Sequence, residues 1–502
     1  MSEKRPKKSP QAVSALSSEA REASDEERTI HFVSLGCPKN RVDTEVMLGL
    51  AENTGYRHVD DAADARVIVV NTCGFIDAAK KESIDTILEL SGHKQTGVCQ
   101  RLVVTGCLSQ RYPQELAEGF PEVDHFLGSS DMLKLEQVLA GGAERMLVGH
   151  PADWVVKASD PRRISTRGAS AYVKIAEGCN RTCSFCVIPQ LRGKQRSRAI
   201  DDVVREVEAL VARGVLEVNL VSQDTVAYGR DLEDGTNLTE LVRKVADVRG
   251  LHWLRLFYLY PEKLDDELIE LIGGHPRVVP YVDMPLQHAA DGMLRRMRRG
   301  HGGRRLYELV DRLRKRVEGL TLRTAFIVGH PGETEEEFEE LLAFVRHAEF
   351  DRVGVFRYSD EPSARANAFE GKVPERTAAA RARKLMQLQR GISKKRNDAM
   401  VGQTLEVLVE GPSDEGDWVM VGRHPGQAPE IDGSVFLSGG EVRPGEIRRA
   451  HIVQAADYDL VGEVDEAEPL VAAAAQSAEL AAMPHVAHRS SDGRRVVLKT
   501  LS

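Results

Sequence analysis

Cys179, Cys183 and Cys186 stand within eight consecutive residues, Cys179-Asn-Arg-Thr-Cys183-Ser-Phe-Cys186, on a loop opened by Glu177-Gly178. Cysteine thiolates are the common ligands of iron–sulfur clusters, and three thiols on so short a glycine-started loop can wrap one inorganic cube. A closed structural zinc site takes four ligands, and no fourth Cys or His lies nearby. Three ligands for four irons leave one iron open to a chelating substrate. Zinc binding or chance clustering is the competing account of the same spacing.

A second triplet is scattered. Cys37 follows the strand-like run His31–Leu35, Cys73 follows Val67–Val70, and Cys107 follows Leu102–Thr105. In an open α/β sheet the carboxyl ends of parallel strands form the ligand-binding edge, so three cysteines far apart in sequence would converge there. Gly36, Gly74 and Gly106 sit directly beside them and permit tight turns and close backbone approach. Three buried core cysteines are the other account that geometry alone leaves open. Cys99 starts the strand that Cys107 ends, roughly 25 Å away at about 3.3 Å per residue, and reads as structural.

The elements that must position these groups follow from periodicity. Short β-branched runs alternate with helical stretches over 29–146, the signature of an open parallel α/β domain. A Pro-, Ser- and Arg-bearing linker, 147–168, precedes a second alternating region, 169–396. Its strands are expected at Ala171–Ala176, Glu217–Ser222, Leu254–Leu259, Val278–Met284, Leu322–Val328 and Arg352–Tyr358, separated by helices such as Ile200–Arg213 and Glu335–His347. Six β/α units suggest an open, partial version of the eightfold barrel. After a charged helix, Pro374–Asn397, the segment 397–462 carries short apolar runs and many glycines, which reads as a small antiparallel β-barrel. Residues 1–28 read as a disordered tail and 463–502 as a loosely ordered one.

The first cysteine loop, on the opening strand of a six-unit β/α barrel, resembles the radical S-adenosylmethionine superfamily. The two triplets together, with Cys183-Ser-Phe-Cys186-Val-Ile-Pro189, Arg192-Gly193 and Arg196-Ser197-Arg198, resemble the methylthiotransferases over roughly Thr29 to Gly462. That family joins an N-terminal α/β domain, a radical barrel and a small β-barrel called TRAM. The resemblance implies two 4Fe-4S clusters, an auxiliary one on Cys37, Cys73 and Cys107 and a radical one on Cys179, Cys183 and Cys186, with S-adenosylmethionine as the other cofactor.

Within the family, Gly36-Cys37-Pro38-Lys39-Asn40, Asp43-Thr44-Glu45, Asn71-Thr72-Cys73-Gly74-Phe75-Ile76 and Thr105-Gly106-Cys107-Leu108-Ser109-Gln110-Arg111-Tyr112 are similar to the branch that modifies ribosomal protein S-twelve. The tRNA-modifying branch usually carries Gln-Met at Pro38-Lys39. Gln223-Asp224-Thr225 and Asp283-Met284-Pro285-Leu286-Gln287-His288 also fit, whereas Asp360-Glu361-Pro362-Ser363 departs from an expected glycine-containing turn. The implied reaction has two stages. One S-adenosylmethionine methylates a sulfur held at the auxiliary cluster, and a second is cleaved to a radical that removes hydrogen from the β-carbon of an aspartate in S-twelve. An unactivated C–H bond has no useful acidity, so the cofactor carries the difficult step while the protein positions it. An electron donor and a sulfur source are implied as further partners, with no identity in the sequence.

Several residues carry two readings. Gly329 and Pro331, in Gly329-His330-Pro331-Gly332-Glu333-Thr334, could approach the nucleotide of the cofactor or form a plain β/α turn. Gln223 and Asp224 end the second barrel strand and are candidate cofactor contacts. Phe185 could cover the cluster or adenine, or simply pack. Arg295, Arg296, Arg298 and Arg299 read as a solvated helix face.

Net charge is −9, which argues against binding nucleic acid through the overall field. Over Val401–Leu460 eleven acidic residues face four arginines and no lysine, a net −7. A module gripping RNA through phosphates should be basic, so an acidic one suits a basic ribosomal protein. The N-terminus lacks a secretory apolar core and no run is long enough for a membrane span, so the expected location is cytoplasmic. The alternatives are a tRNA adenosine methylthiotransferase and a non-catalytic metal-binding TRAM protein.

Overall fold

A computed structural model of the chain describes residues 28–413, 416–465 and 468–473, and these divide into two compact units. The expected tail at 1–28 lies outside the described residues save for Arg28, as does most of the one at 463–502. No helix among the described residues is long and apolar enough to cross a membrane.

The first unit comprises the described residues up to Asp153 together with Pro161–Arg163. Its strands β1 (Thr29–Ser34), β2 (Arg57–His58), β3 (Val67–Thr72), β4 (Arg101–Gly106), β5 (His125–Leu127) and β6 (Met146–Leu147) form one sheet in the order β2-β1-β3-β4-β5-β6. Every pairing is parallel. Strands β1 and β3 are buried along their whole length, as the β-branched runs predict for a sheet covered on both faces. The helix Pro38–Asn53 starts directly after Cys37 and lies almost wholly buried. Arg162 docks on it through a buried 2.6 Å ion pair to Glu45, and Arg163 N–H donates to Glu45 O.

In the second unit β7 (Ser170–Lys174), β10 (Glu217–Val221), β11 (Trp253–Leu256), β12 (Val278–Asp283), β13 (Thr321–Val328) and β14 (Arg352–Arg357) form an all-parallel sheet in that order. The two short strands β8 (Ala176–Glu177) and β9 (Arg196–Ser197) pair separately and bracket the cysteine loop. One face of the six strands, including Val218, Leu220, Leu254, Leu256, Val282 and Phe326, packs on the surrounding helices as the main apolar core. The alternate positions are buried and polar: Glu217, Asn219, Arg255, Asp283 and Lys174. Side chains of period two point to opposite faces of a strand, so the barrel interior is charged and the outer layer apolar.

The C-terminal strands β15 (Thr404–Ser413), β16 (Gly416–Arg423), β17 (Val435–Ser438), β18 (Glu446–Ala455) and β19 (Leu460–Val464) close into a five-stranded barrel, with β20 (Val471–Ala472) added to β18. The sequence pattern predicts an antiparallel barrel; four of the five joins are antiparallel, and β17 pairs with β19 in parallel. That pair closes the ring across an intervening strand, β18, which no hairpin can do.

The loop between β16 and β17 caps the end of the radical sheet where its strands begin. Arg255 Nη1 donates to Pro425 O (2.8 Å), Tyr172 OH to Pro429 O (3.1 Å) and Tyr281 OH to Asp432 Oδ2 (2.7 Å). Arg423, at the end of β16, reaches Glu217 with Nη2 at 2.6 Å. The small barrel and the radical sheet thus share one buried charged seam.

Candidate cofactor site

The three cysteines of the second unit sit on the loop after β8, at the opposite end of the sheet from that seam. Gly178 opens the loop at φ +82°, and a Cβ there would lie 2.2 Å from Lys194 O. Only glycine lets Cys179 N–H reach Gly193 O at 3.1 Å. Ser184, buried between Cys183 and Cys186, anchors the loop three ways. Its N–H donates to Met297 O (3.1 Å), its carbonyl accepts from Ala366 N–H (2.8 Å), and its hydroxyl meets His330 Nε2 (3.3 Å). His330 Nδ1 lies 3.1 Å from Pro331 O, which places the ring proton on Nδ1 and leaves Nε2 to accept from Ser184. Burial lowers His330 to about 4, so the ring is neutral.

A hollow of about 480 Å³ opens over Cys179, Cys183 and Cys186, edged by Arg181, Gln190, Lys194 and Arg365. A larger one, about 610 Å³, is lined by Tyr228, Asn237, Glu262 and Arg312 among others and contains no cysteine. The chemistry selects the smaller. Each sulfur accepts one N–H: Cys179 Sγ from Arg181 N (3.4 Å), Cys186 Sγ from Ile188 N (3.4 Å), and Cys183 Sγ from Arg299 Nη1 (3.5 Å).

Burial pushes the thiols up, Cys179 to about 11 and Cys186 to about 12. They are protonated at neutral pH until a metal displaces the protons. The hollow's metal-ligating donors are these three thiols; a closed zinc site takes four ligands, whereas three thiolates suit a cluster with one iron left open.

Around the hollow lie buried polar atoms without protein partners: Gln223 Oε1, Asp224 Oδ1, Arg181 Nη2 and Arg299 Nε. Unpaired buried polar groups are costly, and this set suits the amino, carboxylate and ribose groups of S-adenosylmethionine. The other atoms of these side chains are fixed. Arg181 binds Asp224 (2.5 Å) and Glu262 (2.7 Å), and Gln223 Nε2 donates to Glu177. Burial opposes the charge on Glu177, yet Lys174 and Arg192 hold its carboxyl at about 2.

The remaining sequence candidates separate. Phe185 packs against Ala290, Met293 and Met297. Gly329 donates its N–H to Glu333 Oε2 (2.6 Å) and faces Ala378, while Glu333 also binds Arg381 and His288. The solvated-face reading of the arginine run holds for Arg295 and Arg298 and is corrected for Arg299, which is buried. Its guanidinium lies 4.0 Å from the Tyr260 ring centroid, and that of Arg181 lies 3.6 Å from the same centroid. Arg299 and Ser184 were missed; the loop signal Gly300-His301-Gly302-Gly303, which takes Arg299 off the helix face, could have flagged the first.

In the first unit, Cys37, Cys73 and Cys107 follow β1, β3 and β4 at one sheet edge. A Cβ on Gly36 (φ +93°) would lie 2.8 Å from Cys73 Cβ and 3.1 Å from its sulfur, and one on Gly74 would lie 2.8 Å from Cys107 O. The three loops therefore touch. Asn40, unremarked by sequence reading beyond its place in a motif, ties them. Its Nδ2 donates to Leu35 O and Thr72 O, each at 3.0 Å, and its Oδ1 faces Cys107 Sγ at 3.9 Å. Cys99 lies at the other end of β4 in the apolar core, its thiol raised by burial.

Family models match three segments: residues 29–128 match an uncharacterized protein family, UPF0004, 173–345 the radical SAM superfamily, and 401–464 the TRAM domain. The chain is 67% identical over 482 residues to the ribosomal protein uS12 methylthiotransferase RimO of Sorangium cellulosum, covering 94% of this chain and 97% of that one. The chain belongs to the uS12 methylthiotransferase family. It is a radical S-adenosylmethionine transferase by that membership, with an iron–sulfur cluster and S-adenosylmethionine as cofactors. The relative from Myxococcus xanthus is 49% identical over 88% of this chain and 92% of its own. A solved structure of the radical methyltransferase TsrM from Kitasatospora setae, with cobalamin and a [4Fe-4S] cluster, has the same fold at TM-score 0.50 and 16% identity, over 76% of this chain and 80% of that one.

Proposed function

We propose that the chain methylthiolates the β-carbon of an aspartate in ribosomal protein S-twelve (uS12), using two 4Fe-4S clusters and S-adenosylmethionine, in the cytoplasm. The observation that carries the reading is the 67% identity along nearly the whole of a family member named for that substrate. The proposed domains are 29–146, 169–396 and 397–462, joined by the linker 147–168. Cys179, Cys183 and Cys186 would hold the radical cluster and Cys37, Cys73 and Cys107 the auxiliary one. When bound, the radical cluster supplies the electron that cleaves the sulfonium of S-adenosylmethionine.

The chain's own residues hold and orient. Ser184, fixed by Met297, Ala366 and His330, sets the shape of the cysteine loop. Asp224, Gln223 and Arg181 offer polar atoms to the cofactor. Gly329 and Pro331 stay candidate contacts of the nucleotide: Gly329 N–H is held by Glu333, and Pro331 O by His330, which in turn meets Ser184. The charge of the small barrel favours a basic partner: of its four arginines, Arg423 and Arg448 are buried, leaving Arg443 and Arg449 exposed beside Glu406, Glu430 and Glu441.

Mass spectrometry of S-twelve and of tRNA from a strain lacking this gene tests the reading. Loss of the methylthio group from S-twelve alone is expected. Loss from tRNA adenosine with S-twelve unchanged would overturn it.

A further inference from the structure

Two of the three N–H groups aimed at the cysteine sulfurs belong to the loop's own backbone, and the third is a charge. Arg299 is buried, its Nη1 3.5 Å from Cys183 Sγ and its Nη2 2.8 Å from Pro285 O. It shares the Tyr260 ring with Arg181, but the two cations differ in their partners. Arg181 is neutralised by Asp224 and Glu262, whereas no carboxylate pairs with Arg299 among the described residues. Buried charges are almost always paired. Apart from Pro285 O, the group that Arg299 meets at hydrogen-bond distance among those residues is the sulfur of Cys183.

From this geometry we infer that Arg299 sets the reduction potential of the cluster on Cys179, Cys183 and Cys186; the inference rests on the cluster reading above. One electron enters from a low-potential donor, no bond forms or breaks, and no proton moves, so the cluster and its thiolates become more negative by one charge. A fixed cation hydrogen-bonded to one sulfur stabilises that state more than the oxidised one, in a site where screening by water is weak. Hydrogen bonds to sulfur and burial are established levers on such potentials. Arg299 is thus a positioning and tuning residue, and its charge rather than its volume does the work.

The test is an anaerobic redox titration of the reconstituted full chain, following the electron-spin signal that responds to S-adenosylmethionine, with iron content measured in parallel. In Arg299→Gln, which keeps a polar donor and removes the charge, the reduced-to-oxidised ratio at fixed potential should fall about tenfold, about 59 mV for one electron. Arg299→Lys should stay near wild type. A merely structural arginine would give no such split, with lysine harmed as much as glutamine. Wild-type behaviour of Arg299→Gln at full iron loading would overturn the inference.

Should Arg299→Gln fail to hold iron, wild-type protein labelled with ¹⁵N-arginine decides. A ¹⁵N coupling in the reduced-cluster spectrum, absent from Arg299→Lys, is expected, and its absence from wild type refutes the contact. A wild-type chain with iron but no S-adenosylmethionine-responsive signal would overturn the cluster reading itself, and this inference with it.

Discussion

Replacing Glu217 by glutamine should loosen the seam between the radical sheet and the small barrel. Glu217 is fully buried and accepts four N–H groups. Arg423 gives Nη2 at 2.6 Å and Nη1 at 3.3 Å, and Arg255 gives Nη2 at 3.0 Å and Nε at 3.3 Å. Removing one partner of a buried ion pair costs about 3–5 kcal/mol, because the other charge stays buried. The carboxyl gives an independent figure. Burial opposes its charge, but Arg423 and Arg255 move it from 4.5 to about 2, and at 1.36 kcal/mol per unit that is about 3 kcal/mol.

Glutamine keeps one acceptor, so the lower end applies, about 3 kcal/mol. With a urea dependence of about 3 kcal/mol per molar, the midpoint should fall by about 1 M. The assay is anaerobic urea unfolding at pH 7, followed by the fluorescence of Trp253, which is buried at the start of β11. Because the folded carboxyl titrates below the unfolded one, its contribution is complete above about pH 5 and is lost as pH falls towards 2. Wild type and variant should therefore converge in acid. A midpoint within about 0.2 M of wild type at pH 7 would refute the argument, since an intact seam cannot lose its central anion at so little cost.

Cys183→Ala should abolish reductive cleavage of S-adenosylmethionine while the first unit keeps its iron; wild-type levels of 5′-deoxyadenosine would contradict the site. Cys73→Ala should still release 5′-deoxyadenosine but deliver no methylthio group to an S-twelve peptide, scored by mass spectrometry. Cys99→Ala should leave both products nearly intact and cost about 1 kcal/mol of stability for the core volume lost, read by thermal unfolding. Asn40→Ala removes the bonds to Leu35 O and Thr72 O and should lower bound iron and sulfide by about half while cleavage persists, with about 2 kcal/mol of stability lost for two carbonyls left unpaired.

The cysteine positions were legible because both triplets obey local rules. A β-branched run marks a parallel strand, and the loop leaving its carboxyl end lies at the ligand edge; Cys99, before β4, obeys the same rule in reverse. The features that escaped depend on partners distant in sequence. Arg299 looks like its neighbours Arg295 and Arg298 on any helical count, and only the chain's turn after Met297 carries it to Tyr260 and Cys183. The packing of Phe185 beside Met293 and Met297 is likewise a contact that no local pattern announces.

The departure at Asp360-Glu361-Pro362-Ser363 also resolves through contacts. None of these four residues has a positive φ, so no glycine is required. Asp360 instead accepts from Tyr358, Asn367 and Lys372. The parallel join of β17 with β19 escaped because periodicity marks strands without saying which neighbour each will choose.

The cap formed by residues 424–432 bears on how the family can be rebuilt by exchange of parts. A small C-terminal barrel looks like an interchangeable head, to be swapped without touching the radical domain. Here the head carries the stopper of the chamber beneath it: Pro425, Pro429 and Asp432 complete the hydrogen bonding of Arg255, Tyr172 and Tyr281. A transplanted head without an equivalent loop would leave those groups unanswered in the interior. Retargeting must therefore keep the loop and its seat as one heritable piece and vary only the outward strands. Those strands can drift freely, while the stopper and the chamber have to change together.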